Sequence, residues 1–262
     1  MSRLVPVRSG IGVGEARAVP KASALLADEL RARILGTGLE PGSPLPSEPE
    51  IIEQSGLGRA SVREALRILE AQGLVVIRRG PSGGIFVAQP DPSALGRTLA
   101  PMLTLANAPL SELTFYRRTV EPAAAALAAE NADPDGKQRL VDLAEHNPGL
   151  GFGNEVAFHE LVAELSGNLL LRVLVKAPHD LLREHLKSER IPQADVDEAN
   201  SAHRAIARAV AVGDASRASR AMLRHVTAFE ERMGRDGRLE RPIVPREHWL
   251  RQWSPDEFTA SW

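Results

Sequence analysis

Cysteine is absent from all 262 residues. Disulfides and thiolate metal sites are therefore excluded, and the composition is compatible with a reducing compartment. Aromatic residues are scarce at 4%. Long apolar runs are missing too: no segment approaches the roughly 18 apolar residues of a membrane span, and the first twenty residues contain no continuous apolar core of a secretory signal. These absences lead us to expect a cytoplasmic protein with no membrane contact. A strong charge of one sign is also lacking, since the net charge is −2. What is present is 43% hydrophobic content, with alanine and leucine in runs such as EPAAAALAAENA from Glu121 to Ala132. That composition suits packed helices better than a β-sandwich.

The charge is unevenly placed. Residues 1–90 hold 11 Lys+Arg against 9 Asp+Glu, or +2, so the remainder carries −4. Between Arg59 and Arg79 five arginines face only two glutamates, a local +3 and a modest basic footprint.

Residues 1–20 lack helical or strand period and read as a flexible arm. From Lys21 the apolar residues Leu26, Leu30 and Ile34 recur every four positions, the mark of an amphipathic helix, and GTGLEPGSPLP then breaks it. Ser47 with Glu50 three residues on has capping-box spacing and predicts a short helix over 47–54. Gly56-Leu57-Gly58 is the turn after it. From Arg59 to Gln72, Val62, Ala65, Leu66 and Leu69 share about 100° of helical arc, while Arg63 and Arg67 face elsewhere. Gly73 stops this helix, and LVVIRRGPSGGIFVA reads as a β-hairpin tipped by Arg78 and Arg79. Three helices and a hairpin describe a winged helix-turn-helix over 21–90, whose third helix lays its first residues on base edges in the major groove.

After a Pro-containing linker, helical patterns cover 93–106, 111–131, 135–146, 153–166, 168–188, 195–213 and 214–233. The fold class expected is mainly α: an N-terminal winged helix-turn-helix, then an antiparallel all-α bundle of six or seven helices over 91–233. Residues 234–262 form a C-terminal tail that contains all three tryptophans, Trp249, Trp253 and Trp262, so part of it should dock. No internal repeat is visible.

Arg59, Ser61 and Arg63 read either as a solvated helix face or as a DNA-reading surface, and the surrounding turn and hairpin favour the latter. In that setting Arg63 bonds a guanine edge, Arg59 and Ser61 hold phosphates or bases, and Arg79 with Gly80 enters the flanking minor groove. The segment from Leu30 to Val87 carries PG-x-x-LPSE, then R-x-x-VREAL-x-x-L, then a GG-containing wing, and so resembles the DNA-binding domain of the GntR family of bacterial transcription regulators. The resemblance implies double-stranded operator DNA as partner, with contacts at Arg59, Ser61, Arg63, Arg79 and Gly80.

Of the seven histidines, His146, His179, His185 and His248 show no pairing pattern. The others do. Glu155 and His159 sit four apart on the edge of a stripe made by Phe158, Leu161, Val162 and Leu165. His203 lies in the apolar arc of Ala199, Ala202, Ile206 and Val210, and His225 among Ala218, Met222 and Phe229. Each alone could be a satisfied core histidine. Together, three imidazoles and a carboxylate suit Zn²⁺, Ni²⁺ or Mn²⁺. Arg117 falls inside the apolar arc of its helix and needs an anionic partner, either Glu121 at i+4 or a bound carboxylate, whereas Arg118 is solvated.

Residues 93–233 are in turn similar to the all-helical ligand-binding domain of the FadR subfamily, the FCD domain, through Arg117 to Glu121, Glu155 to His159, Ser166-Gly167-Asn168, His203 to Ile206, and His225. Glu155 stands where that pattern has Asp. The resemblance implies a divalent ion on Glu155, His159, His203 and His225, with Arg117 facing an effector. The expected function is a ligand-responsive repressor that binds an inverted-repeat operator as a homodimer and answers to a carboxylate-bearing metabolite or acyl thioester. A metal-dependent hydrolase using the three histidines is the alternative, but it leaves residues 21–88 without a role and Glu155 unable to serve as both ligand and base. An aminotransferase-like partner domain would need more than the about 170 residues that remain.

Overall fold

In the computed structural model the described residues are 21–80, 83–89, 91–145, 152–186 and 192–252, with backbone only at 152–155, 184–186 and 250–252. The chain divides into two compact units, Met1–Pro90 and Asp91–Trp262. The expected arm at 1–20 lies outside the described residues.

In the first unit α1 spans Ala22–Gly36, α2 Glu48–Ser55 and α3 Arg59–Ala71. Their apolar faces, with Leu26, Ile34, Ile51, Val62, Ala65, Leu66 and Leu69, close one core together with Val75, Ile85 and Val87 of the hairpin. Helix α2 begins as its sequence indicates. The Glu50 carboxylate accepts from both the backbone N–H and the hydroxyl of Ser47, each at 2.7 Å, and Gly56 ends the helix at φ +66°, where a side chain would be strained.

Strands β1 (Val75–Arg78) and β2 (Gly84–Val87) pair antiparallel, Val75 opposite Val87 and Arg78 opposite Gly84. A third extended segment, unforeseen from sequence, completes the wing: Leu45 N–H donates to Ile85 O at 2.8 Å, and Gly42 N–H to Val87 O at 2.9 Å. The wing turn is closed by glycines. Gly80 has φ +102°, and a Cβ on Gly83 would lie 2.6 Å from Arg78 O and 2.7 Å from Gly80 O.

The second unit is a helical bundle: α4 (Ser93–Ala106), α5 (Leu110–Asn131), α6 (Pro134–Glu145), α7 (Phe152–Leu165), α8 (Leu169–Leu186), α9 (Gln193–Ala211) and α10 (Ala215–Arg235), with a short α11 (Arg246–Gln252) in the tail. Small residues let α5 lie close to its neighbours: Ala124, Ala125, Ala128 and Ala129 are buried against Phe158, Val162, Ile206, Val210, Met222 and Val226. This layer brings faces of α5, α7, α9 and α10 to one centre. A second cluster joins Leu110, Leu113, Leu181, Leu182, Phe229 and Met233 to Ile243 and Val244 of the tail. The tail thus has a docking place. Ile243 N–H donates to Ala108 O at 2.9 Å, and Trp249 Nε1–H donates to Thr104 Oγ1 at 2.9 Å. Trp253 and Trp262 fall outside the described residues. Among the described residues no helix is long and apolar enough to cross a membrane.

Candidate DNA-reading helix and buried histidine site

Helix α3 turns its apolar side inward, with Val62, Ala65, Leu66 and Leu69 buried, and leaves Arg59, Arg63 and Arg67 exposed and Ser61 half-buried. Arg63 is not free-standing: its Nε donates to Glu48 Oε1 at 2.9 Å. Arg79 and Gly80 are exposed at the wing, and Arg78 packs over the Phe86 ring with its guanidinium 4.8 Å from the centroid. One exposed face therefore offers guanidiniums on a helix, and a second offers them on a β-tip, the two tools a winged helix brings to a duplex.

In the bundle His159 of α7, His203 of α9 and His225 of α10 converge. Their Nε2 atoms are 3.2 Å apart for His159 and His225 and 3.1 Å apart for His203 and His225. Phe158 stacks on the His203 ring at 4.0 Å between centroids and 14° between planes, which fixes that imidazole. Two imidazole nitrogens each 2.0–2.1 Å from a tetrahedral ion lie about 3.3 Å apart, so the spacing fits three ligands of one cation. Protonation state fits as well. Burial pushes the pKa of His203 well below its usual 6.5, helped by the charges of His225 and His159; for His225 burial again leads, then His159 and Arg117. His159 is also lowered, chiefly by burial, against the pull of Glu121. Neutral imidazoles are the form that binds metal.

Glu155 lies on α7 one turn before His159, but its side chain is outside the described residues. The carboxylate that the structure does place here is Glu121. Its Oε2 lies 2.5 Å from His159 Nδ1, and its Oε1 accepts from Arg117 Nε at 2.6 Å and meets His179 Nε2 at 2.9 Å. Arg117 and Glu121 side chains are only 5% and 3% exposed. Burial alone would raise the Glu121 pKa, yet Arg117, His159 and His179 together hold it well below the ordinary carboxylate value. Glu121, His159 and His179 also form a compact donor group, but their separations of 2.5 and 2.9 Å fall short of the about 3.3 Å between two ligand atoms of one tetrahedral ion. The trio lies beside the three histidines instead: the Glu121 carboxylate makes an ion-pair contact on the Nδ1 side of His159 and leaves its Nε2 edge toward His225.

Three expectations are refined here. Arg117 faces inward as its helical phase indicates, and its partner is Glu121; its Nη2 also approaches His159 Nε2 at 3.4 Å. His179, for which the sequence showed no pairing, is buried in the site. The missed signal was its place between Val175 and Leu182, both buried, on the apolar stripe of α8. Of the other histidines set aside, His248 meets the Trp249 ring edge-on, while His146 and the side chain of His185 lie outside the described residues. Arg118, expected to be solvated, instead forms an ion pair with Glu230, Nε to Oε2 at 3.0 Å, with a third of its side chain exposed.

Arg117, His159, His179, His225, Phe229 and Arg232 surround a cavity of about 20 Å³, the room that one ion or one water requires. A winged helix that presents arginines, followed in the chain by a helical unit with a buried polar centre, is the construction of a ligand-sensing DNA-binding regulator.

Comparison with known proteins gives the same class. The family model described as "Bacterial regulatory proteins, gntR family" matches residues 23–87, and the one described as "FCD domain" matches residues 112–228. The chain is 31% identical over 244 residues to the "Putative L-lactate dehydrogenase operon regulatory protein" of Escherichia coli K12, covering 85% of this chain and 92% of that one. It is 30% identical over 204 residues to the "HTH-type transcriptional regulator LutR" of Bacillus subtilis 168, covering 74% and 92%. Among solved structures, Streptococcus agalactiae GntR aligns over 80% of this chain and 99% of that one, at 26% identity and a TM-score of 0.56. The chain belongs to the GntR family of DNA-binding transcription regulators and carries an FCD effector domain. This family regulates transcription and is not one of enzymes, so the hydrolase alternative is set aside.

Proposed function

We propose that this regulator is a repressor that binds an inverted-repeat operator as a homodimer and is released by a small carboxylate bound beside a divalent ion on His159, His203 and His225. The observation that carries the DNA-reading part is the exposed arginine face of α3, opposite the side that Val62, Ala65, Leu66 and Leu69 bury in the winged-helix core. Two-fold symmetry of the dimer would match two half-sites. Arg63 is assigned to a guanine edge, Arg59 and Ser61 to phosphates or bases, and Arg79 and Gly80 to the minor groove.

The effector reading rests on the buried centre. Imidazole ligands with no cysteine suit Zn²⁺, Ni²⁺ or Mn²⁺. A bound ion would supply a Lewis-acidic contact for an oxygen anion, and the chain's own part is to set the Glu121 carboxylate beside His159 Nδ1 and the Arg117 guanidinium alongside. The cavity of about 20 Å³ holds no more than the ion, so an effector, whether a short carboxylate or an acyl thioester, requires the bundle to open beside it, and a short acid demands the smaller opening. The E. coli relative's name concerns an L-lactate dehydrogenase operon, which makes L-lactate the first effector to try.

The test is fluorescence anisotropy on a duplex from upstream of the protein's own gene against a scrambled duplex. Wild type should prefer the former, and Arg63→Ala should lose about 1–3 kcal/mol on it with little change on scrambled DNA. Equal weakening on both would show that Arg63 contacts phosphate alone. Millimolar L-lactate with one equivalent of zinc should then reduce wild-type affinity; no response across C2–C4 carboxylates would overturn the effector reading while leaving the DNA reading standing.

A further inference from the structure

The contact between α2 and α3 gives the reading helix a feature that exposure alone does not. Arg63 projects from the exposed side of α3 with 62% of its side chain in solvent, yet its Nε is held at 2.9 Å by Glu48, whose side chain is 31% exposed. A flexible surface arginine would normally sample many rotamers. This one is held by a carboxylate fifteen residues earlier in the chain, on a different helix.

The backbone that carries Glu48 is itself fixed. Glu48 is the first residue of α2, Ser47 before it is bonded twice to Glu50, and Pro49 stands in the same turn. Proline sets φ near −65° and suits the first turn of a helix, where the missing N–H costs nothing. At the other end of the contact, Val62 and Leu66 flank Arg63 on α3 and are buried in the same core as Ile51 of α2. Both ends of the ion pair are thus anchored to rigid backbone.

The geometry of the guanidinium decides what this does. Glu48 occupies Nε on one edge, and the two terminal Nη nitrogens have no protein partner among the described residues. Those two nitrogens form the fork that matches O6 and N7 of guanine. An exposed ion pair of this kind adds little to stability, so its effect belongs to orientation.

We infer that Glu48 is a specificity-determining positioning residue, which holds Arg63 with its terminal fork free for a guanine and away from the phosphates. Its negative charge contributes a second effect, because a carboxylate beside the reading arginine disfavours close approach of phosphates and so weakens sequence-independent binding. Glu48 touches Arg63 and need not touch DNA. The inference rests on the regulator reading above.

The test starts from a duplex selected by the full-length wild-type protein from a randomised pool. Discrimination is the ratio of Kd for that duplex with its selected guanine replaced to Kd for the duplex itself. Glu48→Ala should reduce this ratio about three- to tenfold while scrambled-duplex binding stays equal or tightens. Glu48→Gln, which keeps an acceptor oxygen without the charge, should fall between. In an Arg63→Ala background Glu48→Ala should change the ratio no further. A purely structural role would lower Tm of the winged-helix unit and weaken all duplexes alike; that result, or an unchanged ratio with tighter binding to the selected duplex, would overturn the inference. If Glu48→Ala fails to fold, the Glu48→Gln ratio decides. A wild-type pool that yields no shared sequence would remove the operator reading itself, and this inference with it.

Discussion

Substitution of Glu121 by Gln is the sharpest probe of the buried centre, because it keeps shape and changes only charge and donor count. The carboxylate has two hydrogen-bond partners, Arg117 Nε at 2.6 Å and His179 Nε2 at 2.9 Å, and an ion-pair contact with His159 Nδ1 at 2.5 Å. A glutamine offers a single acceptor oxygen and places an NH₂ where another acceptor is needed, so at least one buried donor loses its partner. More serious is Arg117, whose side chain is 5% exposed and whose charge would lose its counter-ion. Breaking a buried pair by removing one partner costs about 3–5 kcal/mol. Urea unfolding of the metal-free protein, followed by helical circular dichroism, should show a loss in that range assigned to the bundle transition. Zinc affinity, measured by competition with a chelator, should fall about 10–100-fold because His159 loses the carboxylate charge beside its Nδ1. The reasoning fails if Glu121→Gln costs less than about 1 kcal/mol and zinc affinity is unchanged.

The buried histidines make a pH prediction. With folded pKa values of His203 and His225 below 6.5, the unfolded chain takes up protons first, so their stabilising effect is full above 6.5 and is lost as pH falls below it. Chelator-treated protein should lose about 1.4 kcal/mol per histidine per pH unit from 6.5 downward; a flat unfolding profile between pH 7.5 and 5.5 would contradict the burial. Glu121, whose pKa is depressed, acts in the same direction below 4.5. Gly83→Ala would press a methyl to within 2.6 Å of Arg78 O; the wing should open at a cost of about 1–3 kcal/mol, seen as weaker operator binding with the bundle transition unmoved. Trp249→Phe removes a hydrogen bond to Thr104, which keeps its own bond to Ala100 O at 2.9 Å. The loss should be about 0.5–1.5 kcal/mol in the bundle transition, and an unchanged midpoint would mean that the tail docks through Ile243 and Val244 alone.

Much of this was legible in the chain because the relevant signals are local. The arc of Val62, Ala65, Leu66 and Leu69 is a 3.6-residue period, and all four are buried. Ser47 and Glu50 announce α2 through a hydrogen bond three residues long. Pro and Gly punctuation set the bundle helices to within about two residues of their ends. The apolar phase of His203 likewise put it in the core. What escaped notice depends on distant partners. His179 meets Glu121 across 58 residues, and periodicity could show that it was buried but not against what. The extended segment at 42–45 has no alternating pattern, only backbone bonds to Val87 and Ile85. Arg63 was legible as exposed; that Glu48 holds it was not, because the two helices are brought together by a core that neither sequence segment describes alone.

The charge balance of the buried centre is consistent with the carboxylate effector proposed above. Without an ion, the positive Arg117 and negative Glu121 cancel and the four surrounding imidazoles are driven toward neutrality by burial. Arg232 at the cavity lies 3.8 Å from Asp195, which balances the rim. A divalent ion on neutral ligands would add two uncompensated charges to this low-dielectric interior, where unpaired charge is most costly. On the reading proposed above, an effector anion that opened the site would gain from both the ion and the Arg117 side chain. A neutral sugar or amine of the same size would leave the charge unmet and should bind more weakly by the same argument.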